Sequence, residues 1–173
     1  MSLNNRIMII DFDNTLITCD SLFSSIFTLI CKRRFFYLFN CFIVLIFKGK
    51  LDLKKYLFFN NLMTYKFSFN QKVINVFESN ESMIVSASYD SYLKKALKKI
   101  IKKDKIIGSS SFILKGEKKS IFLINKYGYK NFDYIGDSIS DIHVWKAARN
   151  AYTVKRLGLY KLFVPHLKHI DEL

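Results

Sequence analysis

Asp11 and Asp13, in the segment Ile-Ile-Asp-Phe-Asp-Asn-Thr-Leu at 9–16, stand two residues apart directly behind a run of aliphatic side chains. In extended chain, residues i and i+2 point the same way, so the two carboxylates converge and repel. Such a pair is kept where a cation sits between them, or where one carboxylate attacks as nucleophile while the other handles protons. The alternative is a solvated turn with Asn14 and Thr15 as turn and cap residues. A second acidic group, Ile-Gly-Asp-Ser-Ile-Ser-Asp at 135–141, places Asp137 after Gly136 and Asp141 one helical turn further on, where both can face one site. Acidic residues also suit helix N-termini. Two acidic clusters, each behind an apolar run, point further, to the oxygen-rich kind of site that Mg²⁺ prefers. Ser86 and the neighbouring backbone N–H groups, Ala87 included, can hold phosphate oxygens. Lys115 of Leu-Lys-Gly-Glu-Lys-Lys can supply the fixed positive charge that phosphoryl transfer needs, with Lys118 and Lys119 competing for that role.

The elements that must position these residues alternate in type. Residues 6–10 (RIMII) form a short aliphatic run suited to a strand buried on both faces, and it ends at Asp11. Residues 21–63 read as helical, with a break at Lys48-Gly49-Lys50, and a further short helix covers 70–79. Strand character returns at 82–85, just before Ser86. A basic helix follows, with Leu93, Ala96, Leu97, Ile100 and Ile101 at helical spacing and seven lysines between 94 and 105 on its solvent face. Strands at 105–107, 132–135 and 151–154 alternate with helices at 118–127 and 139–148. This alternation predicts an α/β fold, a Rossmann-like parallel sheet with helices on both faces and a small helical cap inserted after the first strand. The expected core is 1–18 with 80–173, and the expected cap is 19–79. In such sheets ligands bind beyond the carboxyl ends of the strands, where Asp11, Ser86 and Asp137 fall.

With 173 residues, 50% of them hydrophobic, the chain is expected to fold as one domain with a proper core. The formal charge of +14 suits an anionic partner, but the lysines are spread along the chain and mark no nucleic-acid module, so no specific nucleic-acid binding is expected. Cys19, Cys31 and Cys41 lack metal or disulfide spacing and read as free thiols. No signal peptide is legible at the N-terminus, and the expected location is cytoplasmic. Residues 35–47 (FFYLFNCFIVLIF) form an apolar run of thirteen, short of the about 20 that a spanning helix needs. Bracketed by Lys32, Arg33, Arg34, Lys48 and Lys50, the run suits a buried or an interfacial helix, and peripheral contact with an anionic membrane face fits the latter. His166 and His169 have a spacing that could serve a metal on a helix, but no acidic partner accompanies them.

In order and spacing, D-F-D-N-T at 11–15, the strand ending at Ser86, the Lys115 region and G-D-S-x-x-D at 136–141 resemble the four motifs of the haloacid dehalogenase-like superfamily. Aspartate at both positions of the first motif resembles its phosphatases. Residues 114–149 further resemble the phosphatase-like domain found ahead of membrane prenyltransferases of the polyprenyl-phosphate phosphoribosyltransferase kind. The resemblance implies a Mg²⁺-dependent phosphomonoesterase that works through an aspartyl-phosphate. Asp11 would be nucleophile and metal ligand, and Asp13 proton shuttle and, through its backbone carbonyl, ligand. Asp137 would complete the metal set, Asp141 would orient the metal shell from behind, and Ser86, Ala87 and Lys115 would hold the phosphoryl oxygens. Asp20 is either a substrate-facing acid of the cap or the N-cap of the helix starting at Ser21. The expected substrate is a lipid-linked or sugar phosphate; a soluble phosphoserine-like metabolite and a non-catalytic membrane-apposed binding module are the alternatives.

Overall fold

A computed structural model describes residues 7–173. Six strands form one parallel sheet: β1 (Ile7–Ile10), β2 (Glu81–Tyr89), β3 (Ile106–Ser109), β4 (Phe132–Gly136), β5 (Ala151–Thr153) and β6 (Leu167–His169), in the order β3-β2-β1-β4-β5-β6. β1 is central, with Ile10 level with Ile84 of β2 on one side and Ile135 of β4 on the other. The chain fills the sheet outward from β1 first through β2 and β3, then on the opposite side through β4, β5 and β6. The strand order therefore reverses between β1 and β4, which opens a crevice at their carboxyl ends. Arg6, expected to begin the first strand, lies outside the described residues.

Helices α1 (Ser21–Cys31), α2 (Phe35–Phe59) and α3 (Gln71–Ser79) lie between β1 and β2. Helix α4 (Asp90–Ala96) follows β2, α5 (Glu117–Tyr127) precedes β4, α6 (Ile142–Ala147) follows it, and the short α7 (Tyr160–Phe163) precedes β6. Side-chain alternation along β1 divides the core. Met8 and Ile10 pack into a cluster with Leu29 of α1, Leu57 of α2, Val73 of α3 and Leu93 of α4. Ile9 points the other way, into a cluster with Leu123 of α5 and Trp145 of α6. Both faces of the sheet are covered, as the unbroken aliphatic character of β1 requires.

The chain breaks α2 where Lys48-Gly49-Lys50 predicts a break. Gly49 sits at φ 83°, outside the helical region, a conformation open to glycine without a Cβ penalty. The basic helix stops earlier than expected. α4 ends at Ala96, and Ile100 and Ile101 follow in a turn; Lys94, Lys95, Lys98, Lys99, Lys102 and Lys103 would stack like charges four residues apart had the helix continued. β2 runs to Tyr89, beyond the expected end, because Tyr89 pairs with Ser109 of β3 across a register shift. β6 and α7 lie where no element was expected. The two histidines share no helix: His166 Nε2 lies 3.1 Å from the Trp145 carbonyl, and His169, at the end of β6, accepts the Asp171 N–H.

Candidate active site

The crevice beyond β1 and β4 is a cleft of about 380 Å³ lined by Asp11, Asp13, Asp20, Ser86, Ala87, Lys54, Lys115, Lys119 and Asp137 among others. A larger cavity, of about 730 Å³, lies between residues 65–69 and 95–100 and is lined by lysines and aromatics without a carboxylate. The acidic groups singled out in the sequence therefore meet in the smaller of the two.

Directly after β1 the chain makes a wide turn over residues 12–16, closed by Leu16 N–H to the Asp11 carbonyl and Ile17 N–H to the Phe12 carbonyl, with Asn14 at φ 54°. This turn separates the two aspartates by partner. Asp11 stays at the sheet: its Oδ1 lies 3.1 Å from Lys119 Nζ, and its carboxylate forms a group with those of Asp137 and Asp141, with one oxygen from each lying within 4.8 Å of the others. Asp13 turns toward the inserted helices. Its Oδ2 lies 2.7 Å from Lys54 Nζ of α2 and accepts from Ser88 Oγ at 2.6 Å, while its Oδ1 accepts the Ser21 N–H at 2.8 Å. The two carboxylates expected to meet at one point thus serve two neighbouring ones, and the Asp13 carboxylate lies outside the acidic group.

The electrostatics follow this division. Removal from water raises the Asp11 carboxyl from 3.8 to about 6 against the pull of Lys119, and Asp141 adds to the rise. Burial would also raise Asp13, but the Lys54 ammonium and the hydrogen bonds from Lys54, Ser21 and Ser88 hold it below its ordinary value. Burial raises Asp137, with Lys155 Nζ at 2.8 Å acting the other way from the exposed side of the site.

Lys119 is the fully buried cation of the floor. It donates to Tyr134 OH at 2.9 Å, and that hydroxyl donates to Asp141 Oδ1 at 2.8 Å. Burial acts to lower Lys119, and Asp11 and Asp141 more than reverse this, so the ammonium is held charged. Asp141 Oδ2 accepts from the N–H groups of Asp137 and Ser138 and from Ser138 Oγ, which pins the loop after β4. With both oxygens engaged, Asp141 supports Asp137 from behind. Gly136 permits this: a Cβ there would come within 2.7 Å of Asp141 Oδ2 and 2.8 Å of the Tyr134 ring.

Ser86 is buried at the end of the core stretch of β2, where its Oγ accepts the Ser88 N–H, and both Ser86 and Ala87 face the cleft. Asp20 accepts the N–H groups of Leu22 and Phe23 and so is the N-cap of α1, although it also borders the cleft. Lys115 does not reach the floor: it is exposed, ahead of α5, at the rim. Lys119, Lys54 and Tyr134 are the site residues that the sequence reading ranked second or missed. Helical spacing could have found two of them. Lys119 shares the buried face of α5 with Leu123, and Lys54 lies three residues from both Leu51 and Leu57 on the buried face of α2.

The donor set fits a divalent cation. Asp11 Oδ1 is buried without an aligned hydrogen-bond donor despite the nearby ammonium, and an oxygen of the Asp11 carboxylate lies within 4.8 Å of one of Asp137, whose only ion-pair partner among the described residues is a half-exposed lysine. Carboxylate oxygens with free lone pairs and room for water are what Mg²⁺ accepts.

Two solved structures resemble the chain over most of its length. One is a HAD-family hydrolase from Salmonella enterica subsp. enterica serovar Typhi, with a TM-score of 0.57 and 15% identity, over 95% of this chain and 67% of the other. The second is a phosphoserine phosphatase in its apo form, with a TM-score of 0.57 and 14% identity, over 94% of this chain and 92% of the other. The chain has the fold of these hydrolases. No protein-family model and no curated protein sequence matches it.

Proposed function

We propose that this protein is a divalent-metal-dependent phosphomonoesterase with Asp11 as nucleophile. The observation that carries the reading is the Lys119–Asp11–Asp137 constellation at the point where the strand order reverses, backed by Asp141. A phosphate monoester is dianionic, and the cleft meets it with Lys119 on the floor, Lys54 on the helical side and Ser86 beside Ala87 on β2. Asp11 and Asp137 would hold Mg²⁺, which would supply charge neutralisation and fix the phosphoryl group for in-line attack.

An Asp11 carboxylate oxygen forms the bond to phosphorus as the bond to the leaving oxygen breaks, and Asp13, ionised at rest beside Lys54, relays to that oxygen a proton taken from solvent. Water then attacks the aspartyl-phosphate and yields its proton to Asp13, and cleavage of the acyl phosphate releases inorganic phosphate and restores Asp11. Lys119 holds positive charge against the transferring oxygens, the role first considered for Lys115. Lys54 fixes the Asp13 carboxylate between Ser21 and Ser88 and so ties the proton carrier to the inserted helices. In this reading residues 19–79 act as the cap over the core formed by 1–18 and 80–173.

Two substrate classes have separate support. A small soluble phosphate such as a phosphoserine-like metabolite accords with the likeness to phosphoserine phosphatase. A lipid-linked phosphate accords with the rim, where Leu22 of α1 and Leu51 of α2 give the cleft an apolar border beside Lys50, and with the resemblance of 114–149 to domains that accompany prenyltransferases. Phosphate release from both kinds of ester, with Mg²⁺ and with chelator, tests the proposal. Mg²⁺-dependent turnover of either supports it and ranks the two; inactivity on all, or activity unaffected by chelator, removes the metal-dependent reading.

A further inference from the structure

Helix α1 and the first half of α2 are apolar on the side that faces away from the protein. In α2, Tyr37, Leu38, Cys41 and Val44 meet the core at helical spacing, which accounts for one face. The opposite face carries Phe36, Phe39, Phe42, Ile43, Ile46 and Phe47, again at helical spacing, with Phe36 73% and Phe47 79% exposed. In α1, Phe23, Phe27 and Ile30 are likewise exposed, while Leu22, Ser25 and Leu29 are buried. The core explains none of these outward rings, and a contiguous apolar patch marks a contact surface.

The charge around the patch selects the contact. Residues 21–51 contain Lys32, Arg33, Arg34, Lys48 and Lys50 and no acidic residue. The basic groups sit at the loop between the helices and at the Gly49 kink, so they bracket the stripe on α2. A second copy of a chain with charge +14 would bring the same cations against themselves, whereas anionic headgroups complement them. Insertion across a bilayer is not the alternative, since no helix among the described residues is long and apolar enough to cross one.

We propose that the outward face of α1 and of α2 up to Gly49 docks on an anionic lipid bilayer, the phenylalanine rings entering the interface and the flanking Lys and Arg side chains reaching headgroup phosphates. The inference does not depend on the phosphatase reading. If both hold, α2 links the docking face directly to the cleft, because beyond the kink the same helix delivers Lys50 to the rim and Lys54 to Asp13.

Co-sedimentation of the full chain with phosphatidylcholine vesicles, with and without phosphatidylserine, tests this, together with the triple variant Phe36→Ser/Phe39→Ser/Phe47→Ser and with Arg33→Gln/Arg34→Gln. All five side chains are exposed, and circular dichroism checks that the fold is kept. The expected result is binding at least about ten-fold stronger to the anionic vesicles at low salt, lost in the triple variant and weakened in the arginine variant. Wild-type protein left in the supernatant with anionic vesicles overturns the proposal, as does a triple variant that binds as well as wild type. A dimer in sedimentation equilibrium that the triple substitution dissociates assigns the face to a second copy and overturns it too.

Discussion

Lys119 Nζ stands 3.1 Å from Asp11 Oδ1 on the floor of the cleft, while Lys115, four residues earlier, is exposed at the rim. A cation fixed beside the nucleophile acts on charge as it develops, without reorganising. Lys119→Met is therefore expected to lower kcat by about 10² to 10³, and Lys115→Ala by less than about ten-fold. Steady-state kinetics on the two variants check the order, and the reverse order would return the role to Lys115.

Lys54 and Asp13 form a pair that is mostly buried, with side chains 10% and 17% exposed. Lys54→Met leaves the Asp13 carboxylate without its cation and should cost about 3 to 5 kcal/mol in urea unfolding. Adding Asp13→Asn removes the stranded charge and should recover part of that loss. A double variant less stable than Lys54→Met by the full cost of Asp13→Asn alone would show that the two residues are not coupled.

Gly136→Ala would place a methyl group against Asp141 Oδ2 and the Tyr134 ring, both already tied to Lys119. Overpacking of this kind costs about 1 to 3 kcal/mol. Because the shifted carboxylate is the one that pins Asp137, metal affinity should fall together with stability, which isothermal titration and thermal melts of the same variant read separately.

The sheet was legible because its inner strands are short, largely apolar runs that end at polar residues, as Ile7–Ile10 ends at Asp11 and Phe132–Gly136 at Asp137. β6 was not. Leu-Lys-His carries a single apolar residue and owes its form to pairing of Leu167 with Ala151. Asp11, Asp137 and Ser86 could be named from strand ends alone, since topology carries strand ends to one edge. Helical spacing marks Lys54 as buried, but its pairing with Asp13 was not legible, because it arrives from a helix 41 residues away and is brought in by packing of the inserted helices.

The raised carboxyl of Asp11 makes metal binding dependent on pH. A carboxyl raised to about 6 in the folded protein contributes stability that is complete below its ordinary 3.8 and is lost as pH rises through about 6, where the buried group ionises. Mg²⁺ competes with that proton and offsets the buried charge. The rise in melting temperature with Mg²⁺ should therefore be small near about pH 5 and larger near about pH 7.5, and Asp11→Asn should flatten the difference. Equal Mg²⁺ shifts at both pH values would remove Asp11 from the metal site.

Phosphate release by wild type and by Asp11→Asn, side by side with Mg²⁺ on soluble and lipid-linked phosphomonoesters, tests the central claim most directly. The substitution keeps the size of the side chain and its place above Lys119 but removes the attacking carboxylate. The expected result is Mg²⁺-dependent turnover by wild type and at least about a 10³-fold lower rate for the variant, with its fold intact. Equal rates for the two proteins on an ester that wild type hydrolyses would contradict Asp11 as nucleophile, and inactivity of both on every ester would leave the cleft as a binding site without turnover.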